Sequence, residues 1–530
     1  MRLPPSIVLM LADDLGFNDV SFHGSGQIPT PAIDEIAASG LALDNFHAQP
    51  VCTPTRASLL SGRHAIHHGI YMPFDRGDAR RLNLSYTLLP AALKPLGYNT
   101  HAVGKWHLGQ NELAALPGRR GFDSYYGYWS GAENYSSHVA AAAYDFASGP
   151  NTCTAANGTY SAFAFAARAA HLIATSPLPF FLYVAWQNVH WPLEAPAAYI
   201  DRFANTTGGN GRRQAVAAMA SVLDDGVRNV TDALKARGLW SDALVLFMSD
   251  NGGPTNNNEG TWSSNYPMRG GKNTLWEGGT RVVCAVRGPW VGADLVGTRS
   301  YAPVHVTDWL PTILHAASGD AAWRRALPPD EPPFLDGDGI DVMATLRTGV
   351  RVRTELLLET HPRGGDSVHG QGLIVDGWKI LHLDGYMRPA DEACAEMPPR
   401  SRQDAAETGR VLIGPCAQRV ARAARTKPGH RRVLAWLRPL TPAARRRRPP
   451  PARALQADHL PSRGTGANKS ECVAAPCLFH VDADPCEYRN LAAHHPRRLA
   501  EISARLAELQ VLGRLYYSRH PGGHTQCARY

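Results

Sequence analysis

Three things are scarce in this 530-residue chain, and each scarcity excludes something. No apolar run approaches the roughly 18 residues of a membrane-spanning helix. The longest candidate, PFFLYVAWQNV at 179–189, has the length of a buried strand, so a soluble chain with no membrane span is expected. Among nine cysteines no CxxC pair has the spacing of a zinc site. Acidic residues almost vanish between Arg419 and Arg463, where thirteen Arg or Lys stand beside one acid, Asp458. That segment carries +12 while the whole chain carries +8, which leaves −4 for everything else. The basicity therefore belongs to a Pro/Ala/Arg-rich insertion containing PAARRRRPPPARA, which reads as a solvated segment; no nucleic-acid partner is expected. Polyanion binding or nuclear localisation through that insertion is the competing reading.

The compartment signals conflict. Six N-x-Ser/Thr sequons, at Asn83, Asn134, Asn157, Asn205, Asn229 and Asn468, favour a secretory route, lysosomal or extracellular, where disulfides persist. Against this, the short apolar stretch of MRLPPSIVLMLADDLG runs straight into two aspartates and has no signal-peptide form. A leader missing from the sequence, or a cytosolic protein, would reconcile the two.

What the chain does contain is a series of short, continuous apolar runs, the pattern of strands buried on both faces of a parallel sheet. SIVLML ends at Asp13-Asp14, THAVG precedes Lys105 and His107, FFLYVAW leads to His190, and ALVLFMS ends at Asp250-Asn251. Helical stretches such as PAIDEIAASG, LLPAALKPLG and RRQAVAAMASVLDDGVRNVTDALKARG lie between them, so a three-layer α/β architecture is expected. In such sheets ligands lie outside the carboxyl ends of the strands. All four runs deliver charged or metal-competent residues there.

The pooled residues divide into two chemistries. Asp13, Asp14, Asp250 and Asn251 are hard oxygen donors that suit Ca²⁺ or Mg²⁺ better than zinc. Arg56, Lys105, His107, His190 and Lys272 supply the positive charge and proton carriers needed around a tetrahedral oxyanion. A third element is Cys52 in VCTPTRASLLSGR (51–63). Thr53 can cap a helix, Pro54 suits its first position and Gly62 can end it, which puts Cys52 at a helix N-terminus, where negative charge is favoured. Together they describe hydrolysis of a sulfate or phosphate ester. Taken singly each piece has a structural reading: paired aspartates serve turns, a lone histidine packs, Cys52 is a buried thiol. HAIHH at 64–68, beyond the helix end, is read as structural.

These residues resemble a known family. CTPTRASLLSGR resembles the C-x-P-S-R-x(3)-x-G-R signature of the type I sulfatases of the alkaline-phosphatase-like superfamily, with Thr55 where serine is commonest. LADDLGFNDVSFHG, GYNTHAVGKWHLG, NVHWPLEAP, SDNGG, MRGGKNTLWEGGTRV and HVTDWLPTIL follow in the family's order, and the chain is most similar to the arylsulfatase B group. The likeness spans roughly residues 6 to 390 and resumes at PCLFHVDADPCEYRNLA; about 395 to 470 has no counterpart.

The resemblance implies that Cys52 is oxidised by a formylglycine-generating enzyme to formylglycine. Its hydrate attacks sulfur with one hydroxyl and expels sulfate through the other. It implies one Ca²⁺ held by Asp13, Asp14, Asp250, Asn251 and residue 52. Arg56 and Lys105 would stabilise the hydrate, and His107 would be the base that collapses it. His190 and Lys272 would hold sulfate oxygen, with His190 protonating the leaving alcohol. The substrate implied is a sulfated sugar or aryl sulfate.

The expected fold is an alkaline-phosphatase-like three-layer sandwich with a large, mostly parallel mixed sheet over residues 1–350. A smaller α+β domain, 351–530, would carry a short antiparallel sheet that includes GLIVDGWKILHL, the helix RRLAEISARLAEL, and the basic insertion at about 419–463. Cys472 and Cys477 stand close enough for a small disulfide loop, although spacing alone does not fix connectivity. YYGYWSGAENYSSH (125–138) and the 395–470 stretch are expected to line or flank the pocket. Two functions compete: a phosphonate or phosphodiester hydrolase of the same superfamily, and an inactive relative that only binds sulfated glycans.

Overall fold

A computed structural model describes residues 4–255, 260–319, 338–360, 370–383 and 469–519. The basic insertion, the 395–470 stretch up to residue 468 and with it the sequon at Asn468 lie outside the described residues.

The four apolar runs form neighbouring strands. The main sheet comprises β1 (Ile7–Ala12), β2 (Leu41–Leu43), β3 (Asn99–Lys105), β4 (Ser124–Tyr128), β5 (Phe146–Ser148), β6 (Asn151–Thr152), β7 (Phe180–Ala185), β8 (Leu244–Ser249), β9 (Cys284–Arg287) and β10 (Thr298–Ser300). Their spatial order is β10-β2-β9-β8-β1-β7-β3-β4-β5-β6. The central strands β8, β1, β7, β3 and β4 are mutually parallel, whereas β9 and β5 turn antiparallel on either side of them.

Why continuous apolar runs rather than alternating ones is plain from β1. Ile7, Leu9 and Leu11 enter one apolar cluster, while Val8, Met10 and Ala12 enter the other on the opposite face. Helices α1 (Pro31–Ala38), α3 (Ser161–Thr175) and α4 (Gly211–Ala236) cover the second face, and α2 (Cys52–Ser61) and α5 (Trp309–Ser318) the first. The three-layer expectation is borne out. Asp224 of α4 ties two helices of one layer together: its carboxylate accepts the Ala32 and Ile33 N–H groups, capping α1 from a neighbouring helix. The stretch LLPAALKPLG is helical only over Leu89–Leu93 before a 3₁₀ turn, because Pro95 lacks the N–H a longer helix would use.

The second sheet joins β11 (Glu355–Thr360), β12 (Gln371–Val375), β13 (Trp378–His382) and β14 (Cys477–His480), all antiparallel. GLIVDGWKILHL lies in this antiparallel sheet as expected and supplies two of its strands as a hairpin. Asp376 and Gly377 both sit at positive φ, 52° and 79°, in its two-residue turn, the twist that hairpins favour. RRLAEISARLAEL lies within α6 (Pro496–Arg519), whose Ile502 and Leu506 pack on Leu357, Leu373 and Ile380. The disulfide Cys472–Cys477 is present. Lys379 of β13 reaches across to Glu277 beneath the main sheet and to Glu487, at 2.9 Å each. Among the described residues no helix is long and apolar enough to cross a membrane.

Candidate active site

Because β8, β1, β7 and β3 are parallel and adjacent, their carboxyl ends open onto one place. Asp13 and Asp14 follow β1, Lys105 ends β3 with His107 two residues on, His190 follows β7, and Asp250 and Asn251 follow β8. Facing them is the N-terminus of α2. Here the expected boundary shifts: the helix begins at Cys52, with Val51 as cap residue, two positions earlier than Thr53-Pro54 suggested. The reason lies in the two hydroxyls. Thr55 Oγ1 accepts the Gln49 N–H and donates to the Gln49 carbonyl, fixing the entry to the helix, while Thr53 Oγ1 accepts the Phe74 N–H instead of capping. Gly62 ends the helix at φ 67°, as expected.

Eight of the ten residues singled out from sequence are linked by direct contacts, whereas His107 bonds the Phe74 carbonyl and Cys52 lies near the others without a hydrogen bond to them. Lys105 Nζ lies 2.7 Å from Asp13 Oδ2. Arg56 donates from Nε and from its second terminal nitrogen to Asp250 Oδ2, at 3.1 and 2.7 Å, and lies 3.6 Å from Asp13. Lys272 Nζ is 2.8 Å from Asp14 Oδ2 and His190 Nε2 is 3.8 Å from the same oxygen. Asn251 donates to Asp14 Oδ1 at 2.7 Å. Asp13, Asp14, Cys52 and His190 each offer a ligand atom within 4.8 Å of the others. His190 thus joins a cluster that sequence reasoning had assigned to oxygen donors and Cys52, because its turn brings Nε2 back over Asp14.

Burial sets the electrostatics. All of these side chains are enclosed except that of His190, which keeps 14% exposure and marks the opening. Three carboxylates face three fixed cations, a balance of zero before histidine charge. Burial and the neighbouring Asp13 charge raise the Asp250 carboxyl to about 7, although Arg56 and Lys105 pull it down. Burial opposes ionisation of Asp13 too, but Lys105, His190 and Arg56 hold it well below the usual carboxylate range. Burial pushes the Cys52 thiol up to about 12, so despite its helix N-terminus and the nearby Lys105 and Lys272 it is neutral. Burial, with Lys105 beside it, keeps the His107 imidazole well below its ordinary value.

The two histidines have defined protons. His107 Nε2 donates to the Phe74 carbonyl at 2.8 Å, leaving Nδ1 buried and bare. His190 Nδ1 donates to the Trp191 carbonyl at 2.7 Å, which leaves Nε2 facing the site.

A cation fits this donor set. Asp13 Oδ1 and Asn251 Oδ1 are buried acceptors with no hydrogen-bond partner, each costly to leave so. Three carboxylates held together by a lattice of cations, all with oxygen atoms to offer, suit a hard divalent ion.

Some contributors were not named from sequence. Gly131, within the expected 125–138 flank, has no room for a side chain: a Cβ there would lie 2.8 Å from His107 Cε1. Tyr135, from the same flank, donates its hydroxyl toward the Gln187 and His190 carbonyls and so holds the His190 turn. Ser249 accepts the Leu15 N–H and donates to the Asn251 carbonyl, bracing the two acidic strand ends against each other. HAIHH lies apart, with His67 on Asp338 and His68 on Ser58.

The family profile described as Sulfatase matches residues 5–319. Arylsulfatase J of Mus musculus is 37% identical over 402 residues, covering 71% of this chain. The match takes in 64% of that relative's own length, less than two thirds of it. N-acetylgalactosamine-6-sulfatase of Mus musculus is 29% identical, over 65% of this chain and 67% of that one. The crystal structure of Ps i-CgsB in complex with k-i-k-neocarrahexaose superposes with a TM-score of 0.62 at 27% identity, covering 73% of this chain and 85% of that one. These likenesses carry the family and not the finer similarity to the arylsulfatase B group. On its sequence, its sheet and the extent of these matches, the chain belongs to the sulfatase family.

Proposed function

We propose that this protein is a sulfuric ester hydrolase that removes sulfate from a sulfated sugar or an aryl sulfate. The observation that carries the reading is the convergence of four parallel strand ends and one helix N-terminus on a buried, formally charge-balanced cluster that opens at His190 and has Cys52 inside it.

The groups that this reading would require are Ca²⁺ and a formylglycine at position 52. Asp13, Asp14, Asp250 and Asn251, with residue 52, would hold the cation. When bound it polarises sulfate oxygens and lowers the pKa of a nearby hydroxyl. Formylglycine fits because the native thiol is buried and neutral, which makes it a poor nucleophile where it stands. When present, its hydrate would supply one hydroxyl suited to attack on sulfur and a second suited to release of sulfate.

The chain's own residues do the rest. Arg56 and Lys105 fix Asp250 and Asp13 and hold positive charge beside residue 52. His107 takes a proton at its bare Nδ1. Lys272 presents its ammonium to a sulfate oxygen, and His190 delivers a proton from Nε2 to the leaving alcohol oxygen as the S–O bond breaks. Exclusion of water strengthens every one of these interactions. A divalent cation on a site balanced at zero charge leaves it positive, matched to a sulfate monoester.

The sugars in view are an N-acetylgalactosamine unit, named in one relative, and an algal-type polysaccharide unit, with neocarrahexaose the saccharide named in a similar structure. A formylglycine-generating enzyme would act during maturation. The disulfide Cys472–Cys477 supports a secretory route, lysosomal or extracellular.

The test is turnover of an aryl sulfate, with an aryl phosphodiester as competitor, by protein made with and without a formylglycine-generating enzyme. The mass of the Cys52 peptide is measured in parallel. Sulfate release that tracks the aldehyde is expected. Full activity with an intact thiol, or preference for the phosphodiester, overturns the reading, and no turnover by aldehyde-bearing protein would point to a glycan-binding relative.

A further inference from the structure

We infer that Trp191 is the platform on which the sugar ring of the substrate rests, a specificity residue for a carbohydrate leaving group; this builds on the sulfatase reading above. His190 is the only partly exposed member of the charged cluster, so the opening lies on its side. If His190 protonates the departing oxygen, the carbon skeleton attached to that oxygen must leave the cluster past His190. The next residue along is Trp191.

Trp191 is 51% exposed, more than any other tryptophan among the described residues. Its ring belongs to neither apolar cluster of the main domain. Yet its backbone is firmly held. The Trp191 carbonyl accepts from His190 Nδ1, the His190 N–H donates to the Gln187 carbonyl, and Tyr135 donates to the His190 carbonyl. Glu194, three residues on, accepts from the Asn134 side chain and the Tyr135 N–H. A large flat apolar ring left in solvent on a rigid turn beside a catalytic opening is pre-organised for a flat apolar ligand face. A pyranose offers one through its axial C–H groups, with hydroxyls at the rim left to water. Among the cluster residues only His190 reaches the surface, and the exposed ring that follows it in the chain is that of Trp191.

The experiment uses mature, metal-loaded protein and the variants Trp191→Ala and Trp191→Phe. The probes are N-acetylgalactosamine 4-sulfate, the 6-sulfate and a sulfated neocarrageenan oligosaccharide, with inorganic sulfate as a competitive inhibitor that has no leaving group. For whichever saccharide the parent turns over, Trp191→Ala should raise KM about tenfold. kcat should stay within about twofold, Trp191→Phe should recover most of the loss, and the sulfate inhibition constant should not move. An unchanged saccharide KM overturns the platform while leaving the sulfatase reading intact. So does an equal rise in the sulfate inhibition constant, since the substitution would then have damaged the charged cluster. A parent that releases sulfate from neither saccharides nor an aryl sulfate overturns the sulfatase reading itself, and the platform with it.

Discussion

Lys272 Nζ and Asp14 Oδ2 lie 2.8 Å apart although 258 positions separate them, both buried at the carboxyl edge of the sheet. The lysine thus neutralises a carboxylate and stands where a sulfate oxygen would come. Lys272→Ala should lower turnover by about 10²–10³, as loss of one oxyanion donor does elsewhere. The same change frees Asp14 of a competing cation, so affinity for Ca²⁺ should rise. Steady-state kinetics and calcium titration read both; undiminished turnover removes Lys272 from the mechanism.

Chelation should both inactivate and destabilise the protein. With the cation gone, Asp13, Asp14 and Asp250 are buried together, with two acceptor atoms unpartnered. An ion that binds only the folded state at a hundred times its Kd adds about 2.7 kcal/mol. EGTA should therefore lower the melting temperature of the parent and calcium should restore it. Asp250→Asn should lose most of that response. A melting temperature indifferent to calcium would count against a resident ion.

Much of this site was legible because it obeys two rules at once. Buried parallel strands write themselves as unbroken apolar runs, so Ile7–Ala12 and Leu244–Ser249 could be found by composition, and the polar residues that follow them must sit at one edge. That predicted Asp13, Asp14, Asp250 and Asn251 without any coordinates. What sequence could not give was the helix start at Cys52, decided by hydroxyl bonds from Thr55 to Gln49 that span six residues. Nor could it give the thiol's neutrality: the helix N-terminus and two lysines argue for a thiolate, and burial outweighs them. The hairpin at Asp376-Gly377 was a missed signal, since a two-residue Asp-Gly turn between apolar runs is readable.

Gly131 belongs to the illegible part, because only the fold brings it to His107. A methyl group there would stand 2.8 Å from Cε1 and 2.9 Å from Nε2 of the imidazole. The ring cannot easily retreat, being buried and bonded to the Phe74 carbonyl. Gly131→Ala should displace His107 and cut kcat at least about tenfold, with a smaller effect on KM. Gly118→Ala, where a Cβ meets nothing within 4 Å, is the control and should leave kcat unchanged.

A pH effect on stability should come from the junction of the two sheets, away from the catalytic cluster. Burial, with the Glu277 charge adding to it, raises the Glu487 carboxyl to about 7 against the pull of Lys379. For Glu277, burial is overcome by Lys379, which draws it down to about 2. A carboxyl whose folded pKa lies above its unfolded value of about 4.3 favours folding most when protonated. Its contribution is complete below that unfolded value and is lost as pH climbs through 7. Glu277, already ionised, adds nothing variable between pH 5 and 8. Glu487→Gln keeps an oxygen to accept the Glu277 N–H, now 2.7 Å from Glu487 Oε2, but cannot ionise. Relative to the parent, its melting temperature should therefore rise between pH 5 and pH 8, by a few degrees. A difference that is flat or falls over this range would mean that Glu487 is ionised throughout and that Lys379 balances both acids.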